Sequence, residues 1–404
     1  QAESLKRRAR MAEPYTPREM LAKLVSFDTT SAKSNLPLIH WVKDYLEGHG
    51  VDSHLVPDET GKKASLFANV GPEEPGGVVL SGHTDCVPVE GQPWSTDPFE
   101  LTEKDGRLYG RGTCDMKGFD ALALAVVPHA LKAGIKKPIQ IALSYDEEVG
   151  CSGAPPMIAE MAKTLPKAAG AIIGEPSMMK TVSAHKGTAG FTTKVKGFEV
   201  HSSLCHTGVS AVMTAARLVT WMHERMAENA AAAPATPAAE AYTPPYTTLH
   251  CGIIHGGTAG NITALAAWFT TDIRCAPPDI PSEWVERYMQ EVRRIEAEIK
   301  AVQPSAGIQV IPRGGVPALR KEPSPEAGGD GEAERIVRTI TGDNSENVVG
   351  YATEAGQFQD GGYSAVICGP GDIAQAHQPN VLITVDQFQH GEAFIVRLVD
   401  MLAK

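Results

Sequence analysis

Histidine and acidic side chains follow successive strand-like runs of the sequence, at the points where those runs end. His83 and Asp85 come directly after an apolar run at 78–80, and Glu175 follows an apolar run at 171–173. The wider set also contains Asp115, the adjacent pair Glu147 and Glu148, and, far downstream, His377. Imidazole nitrogens and carboxylate oxygens suit zinc, cobalt or manganese, and this number of ligands is compatible with two ions that share one carboxylate.

Each residue of this set also has an ordinary structural interpretation. A histidine and an aspartate at a strand end more often form a hydrogen-bonded turn, an aspartate before a helix is a common N-cap, and adjacent glutamates are usually solvated. The residues recur, however, at intervals of about 30 residues, the length of one strand with its crossover. Since sites in α/β sheets form beyond the carboxyl ends of the strands, this recurrence favours a single shared crevice.

The two adjacent glutamates can divide the chemistry between them. Consecutive residues at the end of a strand point in different directions. One carboxylate of the pair Glu147 and Glu148 can therefore ligate a metal ion while the other faces the substrate as a general base. This arrangement is typical of metal-assisted hydrolysis.

The elements that must position these residues indicate an α/β architecture that is interrupted once. Strand-like runs at 64–70, 76–82, 138–145 and 169–174 alternate with helical patterns, among them a long one at 118–134. After about Lys186 the order becomes β-α-β-β-α-β, which is typical of a small sandwich domain. The α/β pattern resumes after about Leu319.

We therefore predict two domains. A catalytic domain would comprise 11–187 and 313–404, and an inserted domain would comprise 188–312. Within the insertion, the Ala- and Pro-rich stretch 228–246 predicts an exposed loop.

Composition excludes several classes of protein. With 404 residues the chain exceeds the size at which one hydrophobic core stops growing. The net charge of −11 argues against binding to nucleic acid or anionic lipid, and no apolar run reaches the length of a membrane span. Seven cysteines without a CxxC pair indicate a reduced, cytoplasmic protein. We interpret the polar residues 1–10 as an extension outside the fold, with a disordered basic tail as the alternative.

The ordered motifs resemble those of the M20 family of co-catalytic metallohydrolases, most closely its acetylornithine deacetylases. The resemblance runs from about Leu21 to the C-terminus and rests on SGHTDCVPV, WSTDPFEL, DGRLYGRGTCDMKGF, SYDEEVGCSGA, GEPSMM, AHKG, HSS, GGTAGN, TEAG and GPGDIAQAHQPN. It implies an α/β, carboxypeptidase-like catalytic domain, with a mixed sheet flanked by helices, that carries an inserted α+β sandwich as a lid. Because this lid usually mediates dimerisation in the family, a homodimer is expected.

The resemblance also implies a role for each residue of the set. His83 and Glu175 would hold one metal ion, Glu148 and His377 the other, and Asp115 would bridge them, while Glu147 would be the general base and Asp85 would orient His83. Two zinc ions are expected, with cobalt as the alternative. His201, in the motif HSS, would reach the active site of the partner subunit and stabilise the oxyanion.

The implied reaction is hydrolysis of the acetyl amide of N2-acetyl-L-ornithine to L-ornithine and acetate. The carboxylate of this small N-acyl amino acid is expected to meet Asn261 and Arg274, and its ammonium group Glu354. Arg274 could instead be a surface charge at a strand end, and Glu354 a structural loop carboxylate. Two departures bear on specificity: Val381 stands where the family commonly has an acidic residue, and the usual Pro and acidic residues after Asn261 are missing.

Two alternative functions stay open at this point. The first keeps the chemistry and changes the substrate, as in a succinyl-diaminopimelate desuccinylase, an aminoacylase or a dipeptidase. The second is a non-catalytic metal-binding protein on the same fold. Glu147 argues against that second alternative, because a binding protein has no need of a base beside its metal ions.

Overall fold

The computed structural model describes residues 14–322 and 331–404. They form two compact units. The first combines the residues up to Ala184 with Leu319–Asn347 and Thr353–Lys404, and the second comprises His185–Ala318 and Val348–Ala352. The segment 1–10, interpreted above as an extension, lies outside the described residues. None of the described helices is long and apolar enough to cross a membrane.

The strands and helices follow one another along the chain in both units. The strands are β1 (Ser53–Pro57), β2 (Ala64–Val70), β3 (Val78–His83), β4 (Thr102–Lys104), β5 (Arg107–Tyr109), β6 (Ile139–Ser144), β7 (Gly170–Pro176), β8 (Val182–His185), β9 (Gly187–Lys196), β10 (Thr248–His250), β11 (Ile254–Gly256), β12 (Ala266–Cys275), β13 (Gly307–Val316), β14 (Asn347–Val349), β15 (Ala365–Gly369) and β16 (Leu382–Thr384). The α-helices are α1 (Pro17–Val25), α2 (Leu36–Gly48), α3 (Lys117–Ala125), α4 (Val127–Ala133), α5 (Ala154–Thr164), α6 (Ala211–Ala231), α7 (Pro237–Glu240), α8 (Pro281–Val302), α9 (Glu332–Thr341), α10 (Ala355–Asp360) and α11 (Val385–Leu402).

The largest sheet is mixed and has the order β1-β2-β6-β3-β7-β15-β8-β14. Its central strands β6, β3, β7 and β15 run parallel, whereas β1, β2 and β8 pair with their neighbours antiparallel. Every residue of the four parallel strands is buried, which explains why they appear in the sequence as continuous apolar runs. Helices cover this sheet, so the predicted mixed sheet flanked by helices is confirmed.

Close packing fixes the central strands against helix α3. The ring of Phe119 lies so close to β7 that a Cβ built on Gly174 would be 1.9 Å from its Cγ atom. A Cβ on Gly82 of β3 would likewise be 2.0 Å from an oxygen of Asp120. These two glycines are therefore required by contact with α3, one residue before His83 and one before Glu175.

The second unit is an antiparallel sheet covered by two long helices. The strand order is β10-β12-β9-β13, with β11 paired to the other part of β12. Burial alternates along most of β9, as expected when one face of a sheet packs on a core and the other does not. Helices α6 and α8 supply that core, together with the buried residues Phe191, Phe269 and Tyr288.

Most of the stretch 228–246 is exposed or half-buried, as predicted, but it also contains the end of one helix and a single short helix. Helix α6 continues through Ala231, and a second helix, α7, begins after the N-cap Thr236, whose hydroxyl accepts from the amide of Ala239. The side chains of Ala239 and Tyr242 are buried. Pro237 begins this helix, a position where proline is favoured, so the short helix is compatible with the Pro-rich composition.

Candidate two-metal centre

The predicted metal ligands and the predicted base, Glu147, lie at one edge of the first unit's sheet. Because β6, β3, β7 and β15 are parallel neighbours, their carboxyl ends meet there. The residues are His83 at the end of β3, Asp115 after β5, Glu147 and Glu148 after β6, Glu175 in β7 and His377 beyond β15. The sheet thus brings together side chains that are far apart in the sequence.

Two groups of possible ligands share one carboxylate. The first group is His83, Asp115 and Glu175, the second is Asp115, Glu148 and His377, and the ligand atoms within each group lie within 4.8 Å of one another. Oδ1 of Asp115 is 3.0 Å from Nε2 of His83, and Oδ2 is 3.6 Å from Nε2 of His377. His377 Nε2 also lies 2.9 Å from Oε2 of Glu148. Each group therefore combines one imidazole with two carboxylates.

The imidazole of His83 is oriented from behind by Asp85. Its Nδ1 lies 3.0 Å from the carbonyl oxygen of Asp85 and 3.5 Å from the Oδ1 atom of the same residue. Both are acceptors, so Nδ1 carries the proton and Nε2 directs its lone pair toward Asp115 and, at 3.8 Å, Glu175. A ligating histidine commonly holds its other N–H in this way.

The charges around His83 favour a cation at this position. Burial lowers the pKa of His83, but its hydrogen bonds to Asp115 and Asp85 outweigh burial and hold the pKa well above the usual range. A lone pair and carboxylates that face one another require a positive charge between them, either a proton or a metal ion. The donor set of imidazole and carboxylate fits a divalent ion such as zinc or cobalt.

The carboxylates of the centre also repel one another. Burial raises the pKa of Glu175 well above its usual range, and Glu147 and Asp115 raise it further. Burial likewise raises the pKa of Glu147, with Glu148 adding to the rise against the opposing effect of His83. Divalent cations among these groups would offset the repulsion.

Asp85 has a second function that the sequence did not indicate. Its Oδ1 accepts from the backbone amide of Glu147 at 3.1 Å, and its Oδ2 accepts from that of Glu148 at 3.3 Å. The hydroxyl of Ser31 donates to Oδ2 at 2.7 Å. One buried carboxylate therefore orients both His83 and the turn that carries the two glutamates.

Two further contacts hold that turn. The ammonium group of Lys63 pairs with Asp146 and donates to the carbonyl of Ser31. The thiol of Cys151 lies 3.4 Å from Oε1 of Glu147. Sequence reasoning missed both residues, because no spacing or motif relates Lys63 to this turn and a lone cysteine carries no such signal.

Glu354 is buried within the first unit. Its carboxylate accepts hydrogen bonds from the hydroxyl groups of Ser144 and, at 3.3 Å, Ser81. Burial raises the pKa of Glu354 to about 7. These contacts are those of a structural carboxylate beneath the ends of β3 and β6, which was the alternative to an ammonium contact.

His201, Asn261 and Arg274 belong to the second unit. The backbone amide of Ser202 donates to the carbonyl of Asn261 at 2.8 Å, so the segments that carry His201 and Asn261 run side by side. The side chain of His201 is exposed, and its Nδ1 accepts from the amide of Ser203. Arg274, on β12, donates from Nε to Oδ2 of its neighbour Asp272 at 3.0 Å. Roles for these residues in catalysis or binding stay predictions.

Comparisons with known proteins identify related chains. Residues 79–401 match the family described as peptidase family M20/M25/M40. An acetylornithine deacetylase from Myxococcus xanthus is 35% identical over 387 residues, which cover 95% of this chain and 96% of that protein. An acetylornithine deacetylase from Shigella sonnei is 32% identical over 378 residues, which cover 93% and 92% respectively. The structure of an M20 family metallo-carboxypeptidase from Sulfolobus solfataricus matches with a TM-score of 0.75, at 16% identity, over 96% of this chain and 99% of that chain.

A buried acid without a partner lies behind the centre. Asp120, in the first turn of α3, is 2% exposed, and neither of its carboxylate oxygens has a hydrogen-bond partner among the described residues. Burial raises the pKa of Asp120 well above its usual range; His83 opposes the rise and Glu354 adds to it. A carboxyl with a higher pKa in the folded than in the unfolded chain costs stability once the pH exceeds the unfolded value, about 3.9.

We therefore expect Asp120→Asn to stabilise the protein in alkaline solution. The gain should be smaller at pH 5 than at pH 8, where it should reach about 1–3 kcal/mol, because the buried carboxyl otherwise keeps its proton, or ionises at a cost, while the same group in the unfolded chain is ionised. Urea unfolding at the two pH values measures it. Asp44→Asn, at an exposed position of α2, is the control and should show no such pH dependence. An equal effect of Asp120→Asn at both pH values would contradict the expectation.

Proposed function

Because this chain belongs to peptidase family M20/M25/M40, we propose that it is a two-metal amide hydrolase that converts N2-acetyl-L-ornithine to L-ornithine and acetate. The observation that carries the proposal is the pair of ligand groups joined through Asp115, with the carboxylate of Glu147 beside them. The identity to acetylornithine deacetylases over nearly the whole chain supports the choice of substrate.

In this proposal each ion has its own ligands and one in common. His83 and Glu175 would hold the first ion, Glu148 and His377 would hold the second, and Asp115, common to both groups, would be a ligand of each. Zinc is the proposed metal and cobalt the alternative. When bound, the two ions supply Lewis acidity, which makes a water molecule a stronger acid and polarises the amide carbonyl.

Glu147 moves the proton in the proposed reaction. Its carboxylate takes a proton from the attacking water as the new C–O bond forms, and later gives it to the nitrogen as the amide C–N bond breaks. The position of Glu147 supports this role: Oε2 lies 3.9 Å from Nε2 of His83, and the side chain is only 11% exposed. Hydrogen bonds from the turn to Asp85 limit how far this carboxylate can shift.

The substrate contacts and the partner subunit complete the proposal. Asn261 and Arg274 bind the substrate carboxylate, whereas the burial of Glu354 and its hydrogen bonds to Ser144 and Ser81 support a structural role and not a contact with the ammonium group. His201 of one protomer stabilises the developing oxyanion in the active site of the other. We place the reaction in the cytoplasm, a location with which the seven free cysteines agree.

The second unit carries the surface that supports a homodimer. Large apolar side chains are exposed on or beside β11, β12 and α6: Phe198, Val212, Met213, Ile253, Ile254, Leu265 and Trp268. Strand β11 pairs with β12 alone among the described strands, so it offers an apolar edge of the kind that soluble proteins usually cover.

The function itself is tested with a panel of substrates. We expect the zinc- or cobalt-loaded protein to hydrolyse N2-acetyl-L-ornithine with a kcat/KM roughly tenfold or more above that for N-acetyl-L-norleucine, which replaces the ammonium by a methyl group. Steady-state kinetics should include N-succinyl-diaminopimelate and a dipeptide. A higher kcat/KM for either would replace the proposed substrate, and no hydrolysis of any would revive the non-catalytic alternative.

Replacement of the proposed base should separate catalysis from metal binding. Glu147→Ala should retain both ions but lose about three decades of kcat or more, because the base and the proton donor disappear together. Metal content and single-turnover rates measure the two effects. Glu148→Ala is the matched variant and should lose the second ion as well. Near-normal turnover in Glu147→Ala would overturn the assignment.

A substitution on the apolar edge formed by β11 tests the proposed dimer. We expect the wild-type protein to sediment at twice the chain mass of 43.0 kDa, and Ile254→Lys, a change at a residue that is 51% exposed, to sediment as a monomer. Loss of kcat with retained metal should accompany dissociation, since His201 would no longer reach a partner. Val396→Lys, on α11 of the first unit, is the control and should remain dimeric.

A further inference from the structure

His377 differs from the other candidate ligands in how it is held. It lies in a turn between a 3₁₀ helix at Ile373–Gln375 and β16, and its φ angle is +65°. Residues other than glycine adopt this left-handed conformation at a cost, and they keep it only where surrounding contacts impose it. Since the His377 side chain is 58% exposed, packing of the ring does not supply those contacts.

The side chain of Gln92 supplies one of them. Its Nε2 donates to the backbone carbonyl of His377 at 3.0 Å. Its Oε1 accepts from Nη2 of Arg111 at 2.6 Å and from Nε1 of Trp94 at 3.1 Å. These partners fix the direction of the carboxamide. In the flipped amide, the NH₂ group would face the two N–H donors of Arg111 and Trp94, and the oxygen would face the carbonyl of His377.

Arg111 contacts both the segment of Gln92 and Trp94 and the turn that carries His377. It is 2% exposed, its Nη1 donates to the carbonyl of Gln378 at 3.3 Å, and its guanidinium lies 5.0 Å from the centre of the Trp94 ring. A planar guanidinium with several fixed donors suits such a junction, which the ammonium of a lysine would not reproduce.

The far end of the turn is also held by the segment around residue 92. Asn380, with a φ angle of +56°, accepts at Oδ1 from both the amide and the hydroxyl of Ser95 at 2.8 Å. Beyond it, β16 pairs with β5. The turn of His377 is therefore held by the loop that follows β3 and by Arg111, whereas His83 and Glu175 lie within paired strands.

We propose that Gln92, locked in place by Arg111 and Trp94, is a positioning residue for His377 and thereby sets the affinity of the second metal ion alone. The proposal rests on the two-ion centre proposed above. Gln92 acts through the backbone of a ligand, and within the described part of the chain none of its side-chain hydrogen bonds reaches a ligand of the first ion, so its removal should leave the first ion in place.

The test is a titration of metal-free protein with Zn²⁺ by calorimetry, repeated with Co²⁺ and followed by visible absorption. In Gln92→Ala we expect an unchanged first dissociation constant and a second constant raised about 10–100-fold, as for other residues that orient a ligand. Gln92→Glu keeps an acceptor for Arg111 and Trp94 but cannot donate to the His377 carbonyl, so it should behave like Gln92→Ala. A high concentration of metal should restore kcat in both variants.

Three comparisons make the result decisive. Gln359→Ala also removes an amide that donates to a loop carbonyl of the first unit, that of Arg320 at 2.7 Å, and should leave both constants unchanged. His377→Ala marks complete loss of the second ion. Fewer than two ions in the wild-type protein would refute the two-ion centre itself. Two ions in the wild type with an unchanged second constant in Gln92→Ala, or an equal weakening of both ions, would overturn the role of Gln92.

Discussion

The carboxylate of Asp115 faces two imidazoles at once, and much of the architecture serves that contact. His83 approaches its Oδ1 from the end of β3, and His377 approaches its Oδ2 from a turn beyond β15. These two strands belong to parts of the chain that lie on either side of the second unit in the sequence. The first unit must therefore be assembled from both parts, and parallel strands provide the common edge at which they meet.

This edge concentrates negative charge in a buried space, which is unfavourable for folding. Two like charges about 4 Å apart repel by about 4 kcal/mol at an effective dielectric constant of 20. The cluster contains Glu147, Glu148 and Glu175 around Asp115, and the buried acids Asp120 and Glu354 lie behind it. Apolar strands buried on both faces offset this cost. Protons or metal ions within the cluster would relieve the repulsion, so the way the fold brings its acids together favours cations at this centre.

The sequence predicts the buried central strands because such strands appear as continuous apolar runs, whereas the mixed character of the sheet was implied by the family resemblance. The sequence also predicted His83, Asp115 and Glu175 as metal ligands from their positions after strand-like runs, and in the structure those side chains lie together. It could not indicate Ser31 or Gln92, whose hydrogen bonds join segments with no shared periodicity or motif. The sequence also did not indicate the short helix α7 within the exposed stretch 228–246, because the Ala- and Pro-rich composition hid the N-cap Thr236 and the proline that begins the helix.

The two ligand groups of the centre differ in whether their residues are held by strands or by a turn. His83 and Glu175 are held by the backbone ladder of β3 and β7, and both are buried. In the second group, His377 is exposed and lies on a turn with a left-handed backbone. A strand position is set by many backbone hydrogen bonds at once, whereas a turn depends on a few side-chain contacts. Residues outside the centre, such as Gln92, can therefore alter the second group without disturbing the first, and substitution there changes metal affinity without touching any ligand.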